Sequence, residues 1–238
     1  MTRLEVMRNR VLPLLAVALL VLLLAWVVLA PSESRLGGLI KLVFVHGAFV
    51  WSGLLAFTAA GVLGLVSLVV NHLLASLVSG AKQRAAAWYR GTEAAGLAAL
   101  IIWVATVLSS MAVTGLTWGQ LIAWNEPRVQ ATGLTLLAAI VLLIVVRLVA
   151  NRDFTAIVSV LMGIVPWILV QRAGVIRHPV DPIGGSESAA IQHFYLLILL
   201  TIVGLALTLI AWLWAGAEIQ AASPPETEGE LTHSPGAD

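Results

Sequence analysis

The sequence predicts an all-α, polytopic integral membrane protein with six transmembrane helices and both termini in the cytoplasm. Three observations predict it. The 238-residue chain is 60% hydrophobic and only 11% charged, with mean hydropathy +1.00, whereas a water-facing domain carries roughly a quarter charged residues. Apolar segments near the ~18–20 residues needed to cross a bilayer recur along the chain, at approximately residues 11–30, 39–70, 94–117, 129–150, 154–170 and 189–215. Lysine and arginine divide unevenly between the loops, which sets the orientation.

The first segment follows Arg3, Arg8 and Arg10 and ends before Pro31. It lacks a small-x-small cleavage pattern, so it reads as a retained helix and not a signal peptide. The second is long enough to tilt or to leave the bilayer. Its extension from His72 to Tyr89, with Lys82, Arg84 and Arg90 nearby, reads as a cytoplasmic arm. The third and fourth segments bracket a loop rich in aromatic and polar residues. The fifth contains Pro166, which removes a backbone hydrogen bond and predicts a kink, with Gly163 easing the bend. The sixth leads to residues 218–238, where Pro224, Pro225, Glu226, Glu228 and Glu230 predict a disordered acidic tail. The sequence therefore divides into a membrane domain at 1–217 and a cytoplasmic tail at 218–238.

With six spans, one side of the membrane receives Arg3, Arg8, Arg10, Lys82, Arg84, Arg90, Arg147 and Arg152. The other receives Arg35, Lys41, Arg128, Arg172 and Arg177. The richer side is the cytoplasmic one. This topology brings His46, the loop from Trp118 to Arg128, and His178 to one outer face, although neither histidine nor tryptophan entered the orientation argument. The formal charge of +1 offers no nucleic-acid footprint. The absence of cysteine excludes disulfides, Cys-ligated zinc, redox CxxC motifs and covalent c-type haem attachment. No Ser-His-Asp set, P-loop or zinc signature points to an enzyme.

His46 lies among apolar neighbours in KLVFVHGAFVW, where an imidazole needs a hydrogen-bond partner or a metal. Neutral imidazole is a common iron ligand, and Gly47 beside it removes bulk. His178 lies in GVIRHPVDPIGG, a turn-rich loop. Two histidines from remote segments at one face can hold a haem iron from both sides. His193, at the start of the sixth segment, competes for the second position. Trp118 and Trp124 in TGLTWGQLIAWNEPR either anchor the interface or offer a shelf to a flat ring. Arg128 and Arg177 suit propionate carboxylates or phospholipid headgroups equally.

These patches resemble the CcmC-type haem-handling proteins of cytochrome c maturation, within a superfamily marked by a tryptophan-rich outer loop. FVHGAFVW is similar to that family's first-histidine motif. TGLTWGQLIAWNEPR is similar to the end of its third helix and its tryptophan-rich segment. IVPWILVQRAGVIRHP is similar to its fifth helix and second histidine. The resemblance implies haem b with His46 and His178 as axial ligands, and a cradle formed by Trp118, Gly119, Trp124 and Arg128. It also implies the partners: a membrane-anchored haem chaperone and ABC-transporter subunits of the maturation system, with the site on the extracytoplasmic side of the inner (plasma) membrane.

The chain departs from the family pattern at Leu121 and Ile122, where further tryptophans are expected, and at Asn125-Glu126-Pro127, which replaces an Asp-containing run. Two other roles compete with haem delivery. One is a haem-free scaffold or ABC-transporter-associated subunit, favoured by the thinned tryptophan loop. The other is a b-type redox anchor, disfavoured because only one outer histidine pair is present.

Overall fold

A computed structural model describes residues 1–177 and 183–223. Among these residues six helices are long and apolar enough to cross a membrane, and no strand forms. They are α1 (Arg3–Leu29), α2 (Ile40–Leu74), α3 (Ala81–Trp118), α4 (Pro127–Val149), α5 (Arg152–Arg172) and α6 (Ala189–Ala222). The six-span, all-helical reading is therefore correct at the level of elements.

The middle of the bundle is α2, which packs against α3, α5 and α6. Its buried face is made of small residues. A Cβ on Gly64 would lie 2.7 Å from the Ala156 carbonyl oxygen of α5, and one on Gly61 would lie 3.2 Å from the Gly163 Cα. Apolar chains of lipid compete with apolar side chains, so helices in a bilayer associate by close van der Waals fit and not by hydrophobic expulsion. Glycine and alanine permit that fit. On the neighbouring face, Gly53 of α2 lies under the fully buried Trp103 ring, where an added Cβ would come within 2.6 Å. Phe57 meets the same ring edge-on at 5.7 Å. The Trp103 indole N–H donates to the Thr132 carbonyl at 3.0 Å, fastening α4 to α3.

Outside this core, α1 runs antiparallel along α6. Trp26 meets Phe194, Leu19 lies over Gly204, and the Arg8 guanidinium sits 5.0 Å from the Trp212 ring centre. Only Leu12 of the apolar stretch from Leu12 to Leu29 is buried, so most of α1 faces lipid.

Helix boundaries depart from the expectations in three places. α1 begins eight residues before the predicted start at residue 11, because Thr2 and Glu5 form a reciprocal capping box. The helix then widens to π geometry at Met7–Val11, just ahead of Pro13, whose ring clashes with the carbonyl four residues back. α3 begins at Ala81 and not near residue 94. The chain turns at Gly80, whose φ of +77° is left-handed, and Ala85 and Tyr89 then bury against Ala156. The anticipated cytoplasmic arm is thus divided between the last turns of α2 and the first turns of α3. α6 continues to Ala222, so the tail expected from residue 218 begins later. Arg90 of α3 donates to both carboxylate oxygens of Glu218 at 2.9 and 2.6 Å, and the Trp214 indole donates to the same group at 3.1 Å. A bidentate, charge-assisted pair holds the last turns helical. Residues 224–238 lie outside the described residues.

Pro166 is buried inside α5, and the helix runs through it without interruption. Gly163 serves close approach to Gly61 of α2, which explains it without a bend. Trp167, next to the proline, donates from its indole nitrogen to the Thr58 hydroxyl of α2 at 2.8 Å.

Gly64→Ala is expected to destabilise the fold by about 1–3 kcal/mol, since the new methyl meets backbone that cannot yield. Gly133→Ala, where nothing lies within 4 Å of an added Cβ, is expected to be neutral or slightly stabilising. Thermal unfolding midpoints of the detergent-solubilised protein separate the two, and equal midpoints would contradict the packing argument.

Candidate functional site

Antiparallel connection sends the start of α2, the end of α3, the start of α4, the end of α5 and the start of α6 to the same end of the bundle. That end carries His46, Trp118, Gly119, Trp124, Arg128, Arg177 and His193. The opposite end carries the start of α1, the end of α6 and His72.

The segment joining α1 to α2 is organised by Glu33. Its carboxylate accepts from the backbone N–H groups of Arg35 and Leu36 and from the Ser34 hydroxyl, each at 2.9 Å. The Leu36 N–H first, and then the Ser34 hydroxyl, hold the Glu33 carboxyl below the usual carboxylate value. Lys41, on the first turn of α2, donates to the Val28 carbonyl at 2.7 Å and ties the ends of α1 and α2 together.

His46 lies on the second turn of α2, half-buried. Its Nδ1 is 3.1 Å from the Ser109 Oγ on α3. The Ser109 hydroxyl donates its single proton to the Thr106 carbonyl at 2.9 Å. In the tautomer in which the serine oxygen accepts from the Nδ1–H, the lone pair falls on Nε2. A hydrogen bond of this kind at the far nitrogen is how proteins orient a ligating histidine. Gly47 is occupied differently from the sequence expectation. The Tyr195 ring of α6 stands 3.4 Å from where its Cβ would be, so the missing side chain accommodates a tyrosine from the protein itself.

Trp118 ends α3 and is half-buried. Gly119 is the C-cap, with φ +69°. Its N–H bonds to the Gly115 carbonyl at 3.2 Å, and the Gln120 N–H bonds to the Thr114 carbonyl at 3.4 Å. Glycine is required here by the left-handed cap, a backbone reason that stands apart from any cradle. The chain then folds back on α3. Leu121 lies against Gly115, and its carbonyl accepts from the Thr114 hydroxyl at 2.7 Å. Ala123 is fully buried, while the Trp124 ring beside it is 67% exposed. Gln130 donates to the Trp124 carbonyl at 2.6 Å.

Glu126 is the fully buried N-cap residue of α4. Its carboxylate accepts from the backbone N–H of Ile176 at 3.2 Å and of Arg177 at 2.8 Å. These bonds join the Trp118–Arg128 loop directly to the loop that leads into His178. A buried carboxylate requires such partners, and the two amides supply them. Arg128, two residues on, buries its Nε with no hydrogen-bond partner among the described residues.

The structure thus brings Trp118, Gly119, Trp124, Arg128 and the approach to His178 into one loop assembly, with His46 at the same end of the bundle. His178 itself lies outside the described residues. His193 is exposed on the second turn of α6. One participant, Ser109, and one contact, that of Glu126, were not singled out from sequence. Ser109 had a signal, since the pair Ser109-Ser110 interrupts an apolar helix and polar groups at that depth need partners. The Glu126 contact had none, because it joins positions fifty residues apart. Among the described residues no three His, Asp or Glu side chains converge on a metal position; axial coordination of haem asks for two ligands and is not measured by that geometry.

Glu126→Ala takes the acceptor from two part-buried N–H groups, at a cost of about 1–3 kcal/mol. Amide hydrogen exchange at Ile176 and Arg177 is expected to accelerate sharply while exchange in α2 stays slow. Unchanged protection at those two amides would refute the clamp.

No protein-family model matches this chain, and no curated protein matches it.

Proposed function

We propose that this chain binds haem b at the end of the bundle that carries His46 and delivers it to a membrane-anchored haem chaperone in cytochrome c maturation, alongside ABC-transporter subunits. In this reading both termini are cytoplasmic, the protein resides in the plasma membrane, and the haem end is extracytoplasmic. The excess of lysine and arginine at the terminal end supports that orientation. The resemblance to CcmC-type proteins in three separate patches supports the role.

The observation that supports the reading is the 3.1 Å hydrogen bond between His46 Nδ1 and the Ser109 hydroxyl, which in the Nδ1–H tautomer would orient the ring for ligation through Nε2. The residues present fit a haem in a second respect. A buried guanidinium Nε with no acceptor is costly, and Arg128 carries one at this end. A propionate carboxylate is the partner it lacks. When bound, haem supplies an iron with two axial positions and two carboxylates at its edge. The chain's own residues would hold it: His46 and His178 on the iron, Arg128 on a propionate, and Trp118 with Trp124 beside the ring. Glu126 keeps the loop before His178 at this end by its hold on the Ile176 and Arg177 amides. None of these groups makes or breaks a covalent bond, so the role is that of a carrier and assembly factor and not of an enzyme.

Protein purified after haem-replete growth is expected to show a Soret band and a reduced spectrum of six-coordinate, bis-histidine haem. His46→Ala and His178→Ala should each remove most of the bound haem. Ser109→Ala should weaken haem retention by about 10–100-fold, the usual consequence of losing the group that orients a ligating histidine. Absence of the Soret band in the parent, or full haem in both histidine variants, would overturn the proposal.

A further inference from the structure

At the opposite end of the bundle, a half-open cavity of about 270 Å³ lies between α3, α4 and α5, with Phe57 and Ala60 of α2 as its floor. Its deep wall is apolar, formed by Leu97, Leu100, Leu142, Leu143 and Met162. Its mouth is polar and carries Arg147, Arg152 and Glu93. A second cavity of about 400 Å³, lined by Asn71, Lys82, Tyr89 and Asp153, adjoins it. Ala150, Asn151 and Arg152 line both, so the two spaces meet at the turn between α4 and α5. That turn is held tight by Ala150, whose φ of +50° is left-handed. It keeps Arg147 and Arg152 at one level.

Charge and depth identify the occupant. Asp153 is engaged by the Tyr89 hydroxyl and by His72. Among the described residues Lys82, Arg147 and Arg152 have no ion-pair partner, so the two cavities together present three cations against Glu93 and the already engaged Asp153. Asn151 commits its side-chain oxygen to the Phe154 N–H, which leaves its amide N–H groups as donors. From Arg147 to Ala139 the groove runs about 12 Å, and from Arg152 to Met162 about 15 Å, at ~1.5 Å per helical residue. That is about half of the ~30 Å hydrocarbon thickness, the depth of one leaflet. The volume lies just below the ~300–1,000 Å³ range of ordinary small-molecule pockets, which suits a single chain better than a bulky ring system.

We propose that the groove and the polar cavity beside it form one site for an anionic phospholipid of the leaflet at the terminal end. One acyl chain lies along the apolar wall between α3 and α4, and the phosphate is held by Arg147, Arg152 and Lys82. The site is independent of the haem end and of its outcome.

The test uses the full chain, reconstituted in vesicles of equal phosphatidylglycerol and phosphatidylcholine and re-extracted in mild detergent, with retained lipid measured by native mass spectrometry. The parent is expected to retain phosphatidylglycerol in clear preference to phosphatidylcholine. The double variant Arg147→Gln with Arg152→Gln should lose about tenfold or more of that preference, as removal of two headgroup cations implies. Gly96 lines the groove and has nothing within 4 Å of an added Cβ, so the side chain of Gly96→Leu starts into open groove space. It should abolish retention of both lipids while the melting temperature in pure detergent stays at the parent value. Equal retention of the two lipids by the parent would overturn the proposal. So would undiminished phosphatidylglycerol preference in the arginine double variant, whose exposed side chains are not needed for folding. Parent-like retention by Gly96→Leu would overturn it as well.

Discussion

Close approach between α2 and α5, glycine against backbone, is the constraint on which the other contacts depend. Gly61 and Gly64 let α2 lie almost on the α5 main chain, and α3 and α6 then pack around the same helix. In a bilayer no hydrophobic force brings these helices together, so attraction comes from atoms placed at van der Waals distance over a long seam. A seam of this kind also fixes rotation. With Gly61 and Gly64 toward α5 and Gly53 toward Trp103 of α3, the rotation of α2 is set. His46, seven residues before Gly53, is thereby aimed at Ser109 of α3.

Polar groups follow a strict pattern around that seam. Within the spans, hydroxyls bond back to carbonyls on their own helix, as Thr58, Ser67, Thr92, Thr106, Thr201 and Thr208 do. This satisfies the group locally without demanding a partner helix. Bonds between helices that involve charged side chains are kept for the two ends. At one end Glu126 binds the loop after α5. At the other, Arg90 pairs with Glu218, and Asp153 joins His72 of α2 to Tyr89 of α3. The bundle is laced at both rims and held in its middle mainly by contact, with the Trp167–Thr58 and Trp103–Thr132 bonds added. The His46–Ser109 bond also joins two helices, and it is the one to which a ligand role is attached.

The six apolar runs were legible because lipid as solvent leaves the backbone few alternatives, and a hydropathy pattern reports that directly. Ends were less legible. Residues 81–93 are too polar to read as a span, yet Gly80 stops the preceding turn and the alanine run that follows propagates as helix. Glu218 reads as the start of an acidic tail until Arg90 is seen beside it. Of the candidate site, residue types and shared face could be read in the sequence. The Glu126 clamp and the Gly47–Tyr195 contact could not, because each joins positions remote along the chain and leaves no local pattern. Gly119 shows the converse: its identity suggested a cradle, while the backbone requires glycine there for a left-handed helix cap.

Rigidity is shared unequally among the helices. α2, α3, α5 and α6 interlock, whereas α4 buries only Ala131, Thr135 and Ala139 and is fastened to α3 chiefly by the Trp103–Thr132 bond. The same helix carries Arg128 near one end and Arg147 near the other, about 28 Å apart along its axis at ~1.5 Å per residue. It also carries two buried polar atoms, the Arg128 Nε and the Thr135 Oγ1, that have no partner among the described residues. Local stability follows buried contact and satisfied hydrogen bonds, so α4 is the wall least committed to the core. A helix with shallow packing and unpaired donors is suited to completing its contacts with something other than protein. Both of its arginines, one at each rim, stand where carboxylate or phosphate oxygens would supply what the neighbouring helices do not.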